Sequence, residues 1–165
     1  MKRDDLGASA DLALLTELQQ LYTEYAHALD AGEFARWPDF FTDDAVYLLQ
    51  SRENFDRGLP LATLRFESRA MLRDRVVGVS DTLVHTPYYQ THVVGAPRVT
   101  AVDEAGIASE ASFIVTRTRR DALPEILCVG RYRDRLVRVD GELRFARRHV
   151  VFDNDLIANS IIYPI

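Results

Sequence analysis

The residue pattern alternates with a period of two from Tyr88 almost to the end of the chain, and this alternation constrains the fold more than any other feature. Such alternation of apolar and polar residues is typical of strands with one buried face. We predict four strand segments, joined by DEAG, DALP and DG turns: 88–102, 106–120, 125–139 and 142–154. The second half of the chain is therefore expected to form a meander of long antiparallel strands.

The beginning of the chain has helical spacing instead. Residues 11–32 place five apolar or aromatic side chains on one helical face, and Gly32 supplies a stop. These side chains are Leu14, Leu18, Leu21, Tyr25 and Leu29. A second helix is predicted within 67–79, where Met71, Leu72 and Val76 would form the buried side.

The segment between the two helices is rich in aromatic residues. Phe34, Trp37, Phe40 and Phe41 surround Pro38, which favours a short, interrupted helix. Residues 45–49 are predicted to be a strand, and residues 50–60 a connection. Because helices come first and strands second, the sequence predicts an α+β fold with helices on one face of a curved, mainly antiparallel sheet.

The composition is that of one globular domain. The 165 residues are 47% hydrophobic, so we expect a single domain over 1–165 with one full core. The formal net charge of -5 argues against a nucleic-acid or anionic-membrane surface. No uncharged run approaches the roughly 18 apolar residues that span a bilayer, and the N-terminal segment is unlike a secretory signal. We therefore expect a cytoplasmic protein with no nucleic-acid or membrane partner.

Residues that could hold a metal are few and scattered. Cys128 is the single cysteine, which excludes an internal disulfide and fits a reducing compartment. The four histidines, none in a helical metal-binding pattern, are His27, His85, His92 and His149. A Rieske cluster needs two cysteines with two histidines, so this chain cannot hold one alone. The spacing of these residues therefore predicts no metal site, and a mononuclear site assembled by folding stays the alternative.

Several segments resemble known proteins. The opening YAHALDAGEFARWPDFFTDDAVYLL resembles the nuclear transport factor 2-like superfamily, which has a cone-shaped fold. MLRDRV, THVVGAPRV, CVGRYRDRLVRVDGELRFARRHVVFDNDLI and NSIIYPI are similar to the small (beta) subunit of aromatic-ring-hydroxylating dioxygenases. The resemblance covers about Glu17 to Ile165. The chain departs from many small subunits at HVVGAPRV, where they carry a Ser-Asn-Val-type segment after the histidine. HVVGAP and FDRGLPLATLRFESRAML look closer to members that work on aromatic carboxylates.

The resemblance implies a structural role in a multicomponent oxygenase of aromatic catabolism. The family's Rieske iron–sulfur cluster and mononuclear iron lie on a separate large (alpha) subunit. The resemblance therefore implies that this chain carries no cofactor and no catalytic, cofactor-binding or metal-binding residue. It would be a scaffold in a mixed hexamer of three large and three small chains, with the small chains forming a trimer. The parent reaction would add oxygen to an aromatic ring, with electrons from NAD(P)H through a reductase. The ring and the dioxygenase or monooxygenase outcome stay open.

Ten arginines crowd the last third of this acidic chain: Arg117, Arg119, Arg120, Arg131, Arg133, Arg135, Arg138, Arg144, Arg147 and Arg148. On a strand, Arg131, Arg133 and Arg135 share one face and repel one another unless carboxylates lie nearby. Arginine suits carboxylate pairing at interfaces, so we interpret this region as a partner-binding surface. Intrachain pairs with Glu125, Asp134 or Glu142 remain the alternative.

The chain finishes on an apolar tail, residues 161–165, directly after the cluster Asp153-Asn154-Asp155. Burying its side chains offsets little more than the entropy cost of ordering its backbone. We therefore predict that residues 153–165 lie at or beside a subunit contact. A final strand that completes the chain's own sheet is the alternative.

A stand-alone enzyme is the alternative function. A cone can enclose a pocket in which tyrosines, an aspartate and a histidine move a proton beside a carbonyl, as an isomerase or dehydratase does. The candidate residues are Tyr22, Tyr25, Asp30, Tyr47 and His92. Each also has a structural interpretation, since tyrosines pack at helix–sheet junctions and Asp30 with Gly32 marks a helix end.

Overall fold

The computed structural model describes residues 8–82, 84–157 and 160–165. Helix α1 spans Ala8–Asp30, α2 spans Arg52–Asp56 and α3 spans Arg69–Val77. A 3-10 helix over Phe34–Phe40 contains Pro38, and a π-helical turn over Gly78–Thr82 continues α3. Both predicted helices and the interrupted aromatic helix are thereby confirmed.

Seven strands form one sheet. They are β1 (Phe41–Ser51), β2 (Leu64–Phe66), β3 (Tyr88–Val94), β4 (Arg98–Asp103), β5 (Gly106–Arg119), β6 (Glu125–Val139) and β7 (Glu142–Phe152). The order across the sheet is β2-β1-β7-β6-β5-β3, and β4 also pairs with β5. Only the β1–β7 pairing is parallel among the described strands. The predicted α+β architecture with a mainly antiparallel sheet is confirmed.

Two local predictions were wrong. The segment 88–102 is not one strand: it breaks at residues 95–97 into β3 and β4, because Pro97 lacks the N–H that a continuous ladder needs. The segment 50–60, expected to be a connection, contains α2. The Ser51 hydroxyl caps this helix by accepting a hydrogen bond from the backbone N–H of Asn54 at 3.3 Å, a local signal that the hydrophobic pattern does not carry.

The core lies between α1 and the inner face of the sheet, which is the face turned toward this helix. Leu18, Tyr25 and Leu29 are buried along α1, with Leu14 and Leu21 partly buried, as their spacing predicts. Trp37 is fully buried and makes an edge contact with the ring of Tyr47, with 5.2 Å between ring centroids. None of the helices in the described ranges is long and apolar enough to cross a membrane.

Strand β7 leaves no room for a side chain at Gly130 of β6, which pairs with Phe152. A Cβ atom at position 130 would lie 2.0 Å from the Val151 carbonyl oxygen and 2.8 Å from the Phe152 Cα. Both neighbours are backbone atoms, so relief requires the two strands to separate.

We expect Gly130→Ala to lower the free energy of unfolding by at least about 2 kcal/mol, since overpacking against backbone costs this much. Chemical denaturation of the purified chain measures the effect. Gly78→Ala is the matched control, because its Cβ would meet no atom closer than 3.9 Å. Equal stability of the two variants would contradict this account of the β6–β7 contact.

Candidate functional site in the cone interior

A charged cluster lies on the inner face of the sheet, beneath α1. Arg148 of β7 and Asp134 of β6 are paired with 3.7 Å between Nη1 and Oδ2, and both side chains are fully buried. Tyr22 of α1 donates its hydroxyl proton to the Asp134 carboxylate. Ser109 of β5 lies 3.0 Å from the Tyr22 oxygen and can donate to it. One helix and three strands therefore meet at a single buried ion pair.

Aromatic rings enclose the Arg148 guanidinium. Its central carbon lies 3.7 Å from the ring centroid of Tyr132 and 4.0 Å from that of Tyr25. The ring centroids of Phe145 and Tyr22 lie 4.5 and 5.0 Å from the same carbon. The guanidinium nitrogens find no hydrogen-bond partner among the residues that the structure describes. The cation is thus held mainly by ring faces and by one carboxylate.

Burial makes the acids of this cluster weak. It raises the pKa of Asp134 to about 6, although Arg148 and the Tyr22 hydroxyl act in the opposite direction. Burial also raises the pKa of Tyr25 to about 12 and holds the pKa of Tyr22 well above its usual value. Burial alone would lower the pKa of Arg148, but Asp134 and the surrounding tyrosines raise it, so the guanidinium stays charged. The tyrosines are consequently neutral hydrogen-bond donors near pH 7.

The apolar tail fills the other end of the interior. Ile165 is fully buried, and its carbonyl oxygen accepts hydrogen bonds from the hydroxyls of Tyr25 at 2.9 Å and Tyr47 at 3.1 Å. Tyr25 in turn accepts from the Trp37 indole N–H at 2.9 Å. Ile161 and Tyr163 are also buried. The chain's own domain covers the tail, so its apolar character does not require a neighbouring subunit, and it is not a final strand of the sheet.

Asp30 and His92 form a second polar pair, where the end of α1 meets β3. The Asp30 carboxylate accepts from the His92 backbone N–H at 2.9 Å and lies 2.6 Å from its ring Nδ1. The His92 ring is fully buried, and its Nε2 has no partner among the described residues. These hydrogen bonds connect the end of α1 to β3.

The five residues proposed for proton transfer thus fall into two groups. Tyr22, Tyr25 and Tyr47 lie in the core, where Arg148 and Ile165 occupy the space around them. Asp30 and His92 form the separate pair at the helix end. An open cleft of about 640 Å³ lies elsewhere and is lined by none of the five. The arrangement leaves these groups facing protein atoms.

The arginine-rich region is largely paired within the chain. Arg117 and Arg119 bind Glu125, Arg144 binds Glu142 and Arg148 binds Asp134, which are the intrachain partners considered from the sequence. Arg131, Arg133 and Arg135 share the outer face of β6, as predicted. The interpretation of Arg148 as part of a partner-binding surface is wrong, since this residue is in the core. Most of the other pairs are exposed and contribute little stability.

The metal-donor residues of the chain do not come together. No group of three histidine, cysteine, aspartate or glutamate side chains that could hold a metal occurs in the described ranges. Cys128 is buried, and burial raises the pKa of its thiol to about 12, so it stays a thiol near neutral pH. This donor set does not fit a Rieske cluster or a mononuclear iron site.

The buried Arg148–Asp134 pair leads us to predict how the stability of a variant depends on pH. Replacing the cation by a similar-sized apolar side chain, Arg148→Met, leaves Asp134 buried and without its counter-charge. We expect a loss of about 3–5 kcal/mol at pH 7.5. The folded-state pKa of Asp134, already about 6, rises further without Arg148, whereas the unfolded value stays near 4. Between these two pKa values, Asp134 is protonated in the folded variant and ionised in the unfolded chain. The free energy of unfolding of the variant therefore falls as pH rises through this range.

Denaturant unfolding at pH 5.0 and 7.5 measures this effect. The loss relative to the unsubstituted chain should be smaller at pH 5.0, and Arg148→Met/Asp134→Asn should recover part of the stability at pH 7.5. Arg131→Met, on the exposed outer face, is the control and should change stability by less than about 0.5 kcal/mol. An equal loss for Arg148→Met at both pH values would contradict this assignment of the buried charge.

Comparisons with known proteins show the family of this chain. Residues 10–149 match the family model of the SnoaL-like domain. The anthranilate 1,2-dioxygenase small subunit of Burkholderia cepacia is 28% identical over 155 residues, which cover 94% of this chain and 96% of that protein. A terminal oxygenase beta subunit of terephthalate 1,2-dioxygenase from a Comamonas species is 27% identical, covering 86% of this chain and 92% of that one.

A solved structure extends the likeness to the fold. The beta subunit assigned to an aromatic-ring-hydroxylating dioxygenase of Novosphingobium aromaticivorans superposes with a TM-score of 0.85 at 31% identity. The match covers 94% of this chain and 99% of that one. The resemblance predicted from the C-terminal segments is thereby confirmed. The chain belongs to the SnoaL-like, nuclear transport factor 2-like family and, within it, to the small (beta) subunits of aromatic-ring-hydroxylating dioxygenases.

Proposed function

We propose that this chain is the non-catalytic, structural small subunit of an oxygenase that hydroxylates an aromatic carboxylate. Its large partner subunit would carry the Rieske cluster and the mononuclear iron, and this chain would carry no catalytic, cofactor-binding or metal-binding residue. Residues 1–165 would act as one domain in the cytoplasm, without nucleic-acid or membrane partners.

The filled cone interior carries this proposal. A proton-transfer enzyme of this fold needs space beside its acid and base for a substrate carbonyl. Here the guanidinium of Arg148 lies within 4.0 Å of two tyrosine ring centroids, and Ile165 accepts hydrogen bonds from two tyrosine hydroxyls. These contacts support a structural role for the interior and disfavour the isomerase or dehydratase alternative.

The substrate class and the assembly are inferred from the relatives. Their names refer to anthranilate and terephthalate, both aromatic carboxylates, and to small subunits of oxygenase components. A small subunit implies a large one, and we propose a mixed hexamer of three large and three small chains.

The outer face of the sheet offers a surface for contact between small subunits. Tyr89 and Val93 of β3, Ile114 of β5 and Ile126 of β6 point outward and are 41–80% exposed. Val93 pairs with Ile114, and Ile126 pairs with Thr116, so the side chains form one continuous patch. Large apolar patches of this kind are typical of interaction sites. We propose that a trimer of small subunits forms through this outer patch.

The assignment of catalysis to the large subunit is tested by reconstitution. The purified chain, supplied with NAD(P)H, a reductase and benzoate, anthranilate or terephthalate, should give no hydroxylated product and contain no stoichiometric iron. Product should appear after co-expression with the large subunit. Oxygen uptake coupled to product by this chain alone would overturn the proposal.

A variant of the Asp30–His92 pair separates a structural role from a catalytic one. In the assembled oxygenase, His92→Gln should leave the turnover per mole of iron within about twofold, because the imidazole faces the core of a subunit without chemistry. The amide can still donate to Asp30 and preserve the fold. A hundredfold loss in correctly assembled enzyme, which is typical when a general acid or base is removed, would favour a catalytic role.

The outer patch makes a prediction about self-association. Ile114→Asp places a charge in the middle of the patch and should convert trimeric small subunit to monomer in sedimentation velocity at micromolar concentration. Val77→Asp, an exposed position at the end of α3, is the matched control and should stay trimeric. A strictly monomeric unsubstituted chain, or equal behaviour of both variants, would exclude this surface as the trimer contact.

A further inference from the structure

An open cleft lies at the end of the sheet where β5 turns into β6 and where the tail passes the start of β3. Its volume is about 640 Å³, within the range of sites for small organic ligands. It shares no lining residue with the cluster around Arg148. The cleft is therefore a second feature of the molecule, outside the filled interior.

The cleft carries an excess of positive charge in an acidic protein. Arg117, Arg119 and Arg120 line it, and no aspartate or glutamate lines it among the described residues. The Oε1 atom of Glu125 lies 2.9 Å from Nη2 of Arg117 and 3.0 Å from Nη2 of Arg119. Arg120 forms no salt bridge with any described residue. The charge of Arg120 is therefore not matched by a carboxylate of the described residues, and an anion would neutralise it.

The floor of the cleft is held in place before any ligand arrives. Arg117 is 3% exposed, and its guanidinium lies 5.6 Å from the ring centroid of Tyr88. The Tyr88 hydroxyl accepts from the Tyr163 backbone N–H at 3.3 Å, and His85 Nε2 lies 2.9 Å from the Tyr163 hydroxyl. Such pre-organised groups lower the entropy cost of binding.

Apolar side chains complete the walls. Val84, Ala122 and Ile162 line the cleft beside the arginines, and Val84 is fully exposed. An inorganic anion would use the guanidinium groups but leave this apolar surface in contact with water. A carboxylate attached to a flat hydrophobic body would satisfy both, because guanidinium forks bind carboxylates in two parallel hydrogen bonds.

We propose that this cleft is a binding site for a small aromatic carboxylate. Arg120 and Arg119 at the rim bind the carboxylate, while Val84 and Ile162 contact the ring. The site belongs to the small subunit itself and involves none of the residues of the cone interior. The proposed structural role therefore does not depend on whether this site binds a ligand.

Titration of the isotopically labelled full-length chain with benzoate tests the site by nuclear magnetic resonance. Saturable shifts should appear at His85, Tyr88 and Arg120, and should weaken as salt is raised. Arg120→Gln should weaken binding at least about tenfold, which is the loss expected for one charge-assisted hydrogen bond. Arg131→Gln is the matched control, since it removes an exposed arginine of β6 outside the cleft.

The ligand class is tested with benzyl alcohol, which lacks the charge, and acetate, which lacks the ring. Both should bind at least tenfold more weakly than benzoate. Equal shifts with either compound, or equal affinity in Arg120→Gln, would overturn the proposal.

The last experiment tests the cleft in the assembled oxygenase. Equilibrium dialysis with labelled benzoate should show one binding site fewer per small subunit when this subunit carries Arg120→Gln. An unchanged number of sites would mean that the large subunit covers the cleft, and the proposal would then be wrong. Assembly and iron content measured on the same samples test the structural role independently.

Discussion

A positive charge buried between two tyrosine rings determines how the rest of this structure is organised. Removing a guanidinium from water is expensive unless a carboxylate and polarisable groups replace the solvent. Arg148 obtains these groups from Asp134 on the neighbouring strand and from the ring faces of Tyr25 and Tyr132. Helix α1 must therefore lie where its tyrosines can reach both members of the pair.

The same helix connects this cluster to the tail and to the sheet edge. Tyr25 touches Arg148 with its ring and holds the Ile165 carbonyl with its hydroxyl. Asp30, at the end of α1, binds His92 of β3. A cone interior closed by its own residues is consistent with a structural role for this small subunit.

The sequence was sufficient for the fold because hydrophobic periodicity, helix stops and turn residues all pointed to the same architecture. The Asp140–Gly141 turn illustrates this, since both residues adopt positive φ, as the Asp-Gly pair predicts. Arg148 was misplaced for a physical reason. Strict alternation on β7 would put Phe145 and Arg148 on opposite faces, but the register between β6 and β7 shifts after Phe145, so both face inward. Alternation within one strand carries no signal for such a bulge. The sequence offered Asp134 as a partner for an arginine, but neither the burial of the Arg148–Asp134 pair nor the cleft could be found without the structure.

The Arg148 side chain is enclosed in the cone interior, and proton exchange at its guanidinium tests this enclosure directly. Its Nε–H signal in a nitrogen-15 correlation spectrum at pH 7.5 should persist with slow exchange against water, because its side chain is fully buried. Arg131, on the exposed outer face, provides an internal reference whose signal should be lost to rapid exchange. Rapid exchange at both arginines would show that water enters the interior and would contradict the account of a filled, non-catalytic cone.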